Sequence, residues 1–317
     1  MKFSWFKFAL VLVTLLTLVS IGAADPAATQ LLSSGRMDDA LTALNNRGDA
    51  ESLNQLSRVY YAMERWDEAV KYGERAVALD PGDAMYHLWL AREYGRKAAE
   101  ANPLSAAGLA RKAKSEFERA VQLDPTNVPA RVDLAQYYTE APSIMGGGLE
   151  KARDQAAQVQ KYDPGMAHLI LARIAEKEKQ YSQVDAEYQA AIKNARNPAD
   201  MWLQLAAYYR QHGRLDDMQA AVQSAMAQPN KRAESYFDAG KELYLGGRNL
   251  AAAVQYLQQY LASGELVETA PAFQAHYLIG QLNEKMGNRG AAASEYVASL
   301  ALASGYGPAK KALSRVQ

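Results

Sequence analysis

The strongest constraint on this 317-residue chain is a module that recurs about every 34 residues. Leu53, Leu56, Ser57 and Tyr60 return at identical spacing as Trp202, Leu205, Ala206 and Tyr209. A second segment follows each time, with two small or apolar residues a heptad apart and then a proline. It reads Ala69, Ala76 and Pro81, then Ala113, Ala120 and Pro125, then Ala152, Val159 and Pro164. Val184 with Ala191, and Met218 with Ala225 and Pro229, keep the spacing more loosely. A unit of this size cannot bury an apolar face alone, so the repeat commits the chain to an array in which each unit covers the next. The length, which would otherwise suggest two globular domains, then sets a repeat number instead.

Within both segments apolar residues recur at three and four, the period of an amphipathic helix, so the expected class is all-α. Asp-Pro at 80–81, 124–125 and 163–164 is expected to stop the second helix of a pair. Gly213, Gly247 and Gly287 fall where a first helix must end in a left-handed residue. Ser57, Ala91, Ala135, Ala172, Ala206, Gly240 and Gly280 form a column of small residues that lets the paired helix come close. Leu56, Leu90, Leu134, Leu171 and Leu205 are expected in the core, with Tyr60, Tyr94, Tyr138 and Tyr209 filling space beside it. His87, His168 and His276 share the register of Leu53 and Trp202, and read as half-buried packing residues.

These residues resemble the tetratricopeptide repeat, a pair of antiparallel helices of about 34 residues that stacks into a right-handed α-solenoid. The resemblance implies seven repeats over residues 50–303, at roughly 50–83, 84–127, 128–164, 165–198, 199–232, 233–266 and 267–303. A half-repeat at 27–49 precedes them and a capping helix at 308–316 follows. Repeats 6 and 7 depart most, ending in apolar tails around Tyr260 and Tyr296 rather than in proline.

Residues 1–24 stand apart. Lys2 and Lys7 precede an apolar run from Phe8 to Ile21, and Gly22, Ala23 and Ala24 follow. That order is expected to be a secretory signal peptide cleaved after Ala24, with the periplasm as destination. The alternative is an uncleaved anchor in the inner membrane. The chain has no cysteine, which excludes disulfides, thiolate metal sites and a cysteine nucleophile. Its four histidines lie too far apart in sequence for a short-spaced metal pair, and no cofactor or metal is expected. Thirty-five basic residues balance 35 acidic ones, so no global field attracts nucleic acid. Nucleophile-elbow, Walker, zinc-helix and dinucleotide motifs are lacking, and Gly146, Gly147 and Gly148 are not followed by the Lys-Ser/Thr of a phosphate loop. No enzyme is expected.

In tetratricopeptide repeats the first helix of each pair lines a concave groove, and the residue after the small one points into it. The resemblance therefore places Arg58, Arg92, Arg173 and Lys241 there, and one turn on Tyr61, Arg96, Lys177, Arg210 and Tyr244, with Glu176 and Glu284 as acidic exceptions. This basic track, offset by acidic outer faces, suits an extended acidic peptide or a terminal carboxylate. The Asn and Lys pattern of the co-chaperone carboxylate clamp is missing, so chaperone tails are not implied. Two insertions break the template. About ten extra residues between Gly95 and Gly108, and about five between Glu140 and Gly148, are expected to emerge as loops at one edge. The second presents Ile144 and Met145 as an apolar tip for a partner. The function expected is a non-catalytic protein-interaction scaffold of the bacterial cell envelope; the alternative is binding of peptidoglycan or an acidic polysaccharide.

Overall fold

Residues 26–317 are described in the computed structural model, and the expected leader at 1–24 lies outside them. Among the described residues the chain is helical throughout, without a strand. Two short helices, α1 (Pro26–Ser33) and α2 (Met37–Leu44), come first. The first three pairs are α3 (Ala50–Ala62) with α4 (Trp66–Leu79), α5 (Ala84–Glu100) with α6 (Pro103–Leu123), and α7 (Val128–Glu140) with α8 (Leu149–Val159). Next come α9 (Pro164–Lys177) with α10 (Tyr181–Asn194), and α11 (Pro198–Gln211) with α12 (Leu215–Ala227). The last pairs are α13 (Ala233–Gly246) with α14 (Leu250–Ala262) and α15 (Ala272–Lys285) with α16 (Arg289–Leu302), followed by α17 (Gly307–Val316). Each helix packs on its partner and on the next pair, the arrangement of an α-solenoid.

The local chemistry explains the boundaries. Asp49, Asp83, Asn102, Asn127 and Asp163 cap the starts of α3, α5, α6, α7 and α9 by accepting backbone N–H bonds. Gly213, Gly247 and Gly287 have positive φ at +70°, +63° and +83°, and close α11, α13 and α15. Asp80 and Asp124 end α4 and α6, whereas α8 stops earlier, at Val159, and Asp163-Pro164 opens α9. Proline there fits the first helical turn, where no N–H is needed.

Every member of the small-residue column is buried. A Cβ on Gly240 would meet Leu257 Cγ at 2.7 Å, and one on Gly280 would collide with the Tyr296 ring. Leu56, Leu90, Leu134 and Leu205 are core, but Leu171 is only half-buried at the margin of its cluster. The three histidines do more than pack: each bridges its own pair by contacting a second-helix carboxylate. His168 meets Glu187 at 2.7 Å and His276 meets Glu295 at 2.7 Å, both 19 residues on. His87 meets Glu116 at 2.5 Å across 29 residues, and Arg131, in the same register, donates to Gln155 at 2.7 Å across 24. The excesses of about ten and five are the two insertions.

The first insertion makes no loop. It lengthens α5 to 17 residues and α6 to 21, because the segment is rich in Ala, and Asn102-Pro103 supplies a helix start. The second folds down onto repeat 2 as a 3-10 turn over Ser143–Met145. Tyr137 Oη donates to Met145 O at 2.8 Å, Gly148 N donates to Tyr138 O at 2.8 Å, and a Cβ on Gly147 would collide with Ala141 O.

The array closes on itself. Phe273 of α15 and Tyr306, in edge contact at 5.0 Å, share one core with Leu32, Met37, Leu53 and Leu56 from the other end of the chain. Polar contacts run along this seam. Gln274 Nε2 donates to Ala62 O at 2.9 Å, Ser304 N to Asp38 Oδ2 at 2.8 Å, and Tyr306 Oη to Glu64 at 3.2 Å. Arg58 grips Glu268 with two hydrogen bonds, Nε donating at 2.8 Å. A Cβ on Gly35 would clash with the backbone of Pro271 and Ala272, so α1 and α2 fit the seam as a wedge.

Two outcomes test this packing. Ala206→Trp overfills a fully buried site, costing ~1–3 kcal/mol, so its thermal melt lies below that of the parent protein. Phe273→Ala empties the seam core at a cost of ~3–5 kcal/mol, and the radius of gyration in small-angle scattering rises as the ring loosens.

Candidate functional site

The first helices of successive pairs touch one another, α3 with α5, α7 with α9, α11 with α13 and α13 with α15, and so form the inner wall. Their inward side chains are gathered by two cavities. The larger, about 540 Å³, lies at the seam and brings together Arg58, Tyr61, Arg92, Arg96 and Lys241 with Trp66, Trp89, Phe237, Glu268 and Tyr277. The other, about 450 Å³, is lined by Arg173, Lys177, Lys179, Tyr181, Tyr188, Gln204 and Tyr208. Arg210 and Tyr244 line neither. Ile144 and Met145 lie on the outer edge, with Ile144 exposed and Met145 half-buried against Tyr137.

The basic track is not uniformly basic, because acids from neighbouring elements also face inward. Arg92 Nε donates to Asp133 at 2.6 Å, Arg210 Nε to Glu242 at 2.7 Å, and Arg58 to Glu268. A guanidinium taken partly out of water is stabilised by such a partner. Burial works against the charge on Arg58, yet the hydrogen bonds and charge of Glu268 outweigh it and hold its pKa above the ordinary value. Among the described residues, the hydrogen-bond partners of Arg173 are neutral, Gln136 at 3.4 Å and Gln204 at 3.2 Å. Lys285, rather than an outside ligand, covers Tyr244, at 4.1 Å from the ring centroid.

Aromatic rings organise the seam cavity. Tyr61 sits edge-on to Trp66 at 5.4 Å and to Trp89 at 5.6 Å. Arg58 and Arg92 each lie 5.0 Å from the Trp89 centroid, and Arg96 lies 5.0 Å from that of Trp66. The segment carrying Glu268 is fixed by fully buried Tyr260, whose Oη donates to Ala270 O at 2.6 Å and accepts from Val267 N at 2.9 Å. Sequence reasoning missed Glu268, Asp133 and Glu242. The one available signal for Glu268 was the apolar tail of repeat 6, which contains Tyr260.

Residues 50–83 match the family model described as tetratricopeptide repeat, and they coincide with the α3–α4 pair and its connection to α5. That segment is a tetratricopeptide repeat. Over 185 residues it is 28% identical to a tetratricopeptide repeat-containing thioredoxin, TTL4, of Arabidopsis thaliana; this covers 55% of the chain and 24% of the relative. The chain thus spans about a quarter of the length of that curated relative. Among solved structures it is similar to a thermophilic tetratricopeptide repeat protein of Thermus thermophilus, at 22% identity and TM-score 0.47, covering 57% of this chain and 94% of that one. It is also similar to a tetratricopeptide repeat protein of Parabacteroides merdae, at 14% identity and TM-score 0.40, covering 84% and 98%.

Behind the tetratricopeptide groove, Glu93 of α5 is fully buried, and neither carboxylate oxygen has a hydrogen-bond partner among the described residues. Gly73 of α4 makes the room, since a Cβ there would collide with Glu93 Oε2. Burial pushes Glu93 up to about 8; the Ser57 hydroxyl, whose proton goes to Asn54 O at 2.8 Å, opposes this only in part, and the Glu74 charge adds to it. The folded state therefore keeps Glu93 protonated at pH values where the unfolded chain, with an ordinary pKa of 4.5, has released the proton. Its contribution to stability is present in full below pH 4.5 and is lost as pH rises to about 8, a change on the order of several kcal/mol. Melts recorded from pH 5 to pH 9 should fall with pH, and Glu93→Gln should flatten that fall and melt several degrees above the parent at pH 9. A parent and variant with parallel pH profiles would show that Glu93 does not carry the effect.

Proposed function

We propose that this chain is a non-catalytic scaffold of the bacterial cell envelope that holds an extended acidic protein segment along its inner wall. Tetratricopeptide repeats serve in general as protein-interaction scaffolds, and a wall of packed helices offers a partner a preformed surface with little ordering cost. The observation that carries the acidic preference is the cavity around Arg173 and Lys177. There, among the described residues, Arg173 is bonded only to glutamine oxygens, and Lys177 and Lys179 stand exposed beside it, against Glu140 and Glu176. Half-exposed Tyr181 supplies a flat apolar contact at the rim. Arg58, Arg92 and Arg210 contribute less to such a partner, because their carboxylates would first have to be displaced. The envelope location is supported by the basic, apolar and small-residue order of residues 1–24.

Fluorescence anisotropy with a labelled glutamate-rich peptide tests the binding. Affinity is expected to fall with added salt, and Arg173→Glu combined with Lys177→Glu is expected to weaken it about tenfold, the equivalent of ~1.4 kcal/mol. Retention of the parent affinity would place the segment elsewhere, and tighter binding of polygalacturonate than of the peptide would favour an acidic polysaccharide. Mass spectrometry of the exported protein should give an amino terminus at Asp25.

A further inference from the structure

We propose that the seam cavity is a separate anion site, which takes a compact doubly charged oxyanion between Arg96 and Lys241 and so locks the ring shut. Its walls come from both ends of the chain: α3, α4 and α5 on one side, and α13, α15 and Tyr306 on the other. Four cations line it, Arg58, Arg92, Arg96 and Lys241, against two carboxylates, Glu64 and Glu268. Internal partners occupy much of this set. Arg58 holds Glu268, Arg92 holds Asp133 from beyond the cavity, and Glu64 accepts from Tyr306. Among the described residues, Arg96 lies over the Trp66 ring, and neither Arg96 nor Lys241 has an ion pair. Asp238, one turn before Lys241, is pushed up to about 7 by burial against the opposing pull of Lys241, so it is a weak counter-ion at neutral pH.

The two cations are contributed from opposite sides of the seam, Arg96 by α5 and Lys241 by α13. Beside them Trp66, Trp89 and Tyr61 supply the apolar part of the cavity wall. A volume of about 540 Å³ accommodates a small dicarboxylate or a phosphate monoester. An anion that touches both sides at once has full affinity only for the closed ring, and therefore stabilises that state over any opened one. The site is distinct from the cavity around Arg173 and Lys177 and does not depend on the segment-binding reading.

Thermal melts and small-angle scattering of the full chain after removal of residues 1–24 provide the test, with succinate, glycerol phosphate and sodium chloride compared at one ionic strength. The expected result is a rise in melting temperature with succinate or glycerol phosphate over chloride, accompanied by no expansion of the particle. The stronger of the two identifies the source chemistry as carboxylate or phosphate. Arg96→Gln and Lys241→Gln, both at exposed positions, are each expected to remove most of the rise, while Lys193→Gln, exposed on α10 and outside both cavities, leaves it intact. Circular dichroism establishes that each variant is folded, and Arg96→Lys retains part of the rise if charge is what binds. The proposal is overturned if neither anion exceeds chloride, or if the rise persists unchanged in the Arg96→Gln, Lys241→Gln double variant.

Discussion

Close approach between paired helices is the constraint from which the remaining architecture follows. With nothing larger than alanine or serine between them, the helices of a pair interlock, and the seven inner helices fall into register along one wall. Side chains one position, and four or five positions, past the small residue then project toward the inner surface. The wall, its cavities and its charges are consequences of that one column. Its strictest members are Gly240 and Gly280, where even a methyl group would strike Leu257 or Tyr296.

Much of this was legible in the sequence because it is local and periodic. The helix pairs, the left-handed glycines and the sizes of both insertions can be read from spacing alone, and the His–Glu bridges across 19 and 29 residues register the first insertion independently. What periodicity does not encode is which side chains meet across repeats. Asp133, Glu242 and Glu268 neutralise three of the inner arginines from three different kinds of position. The first insertion reads as a loop because Gly95 and Gly108 look like breakers. Both sit in open space on long helices, where each costs about 1 kcal/mol, an amount the neighbouring alanines and lysines offset.

The candidate site joins two regimes of electrostatics. In the seam cavity, Arg58 and Arg92 are held by carboxylates and stacked on the Trp89 indole, an arrangement that fixes their own geometry more than it attracts ligands. Around Arg173 the partners are neutral glutamines, so the charge remains available to something from outside. Glu93 illustrates the cost of the opposite arrangement, a carboxylate carried inside without a partner, tolerated because it can keep its proton.

The closed seam also bears on how such a chain reaches its final form. Nearly every other contact is between neighbours in sequence, which permits folding to spread one pair at a time as the chain emerges. The Arg58–Glu268 clasp and the Asp38–Ser304 bond join residues 210 and 266 positions apart. They can form only after the last helices exist, so the amino-terminal wedge must wait, its apolar face uncovered, until the chain is complete. Ring closure is thus the late, topologically remote step of an otherwise local assembly, and a chain cut short before α15 would present that waiting face to solvent and to other chains.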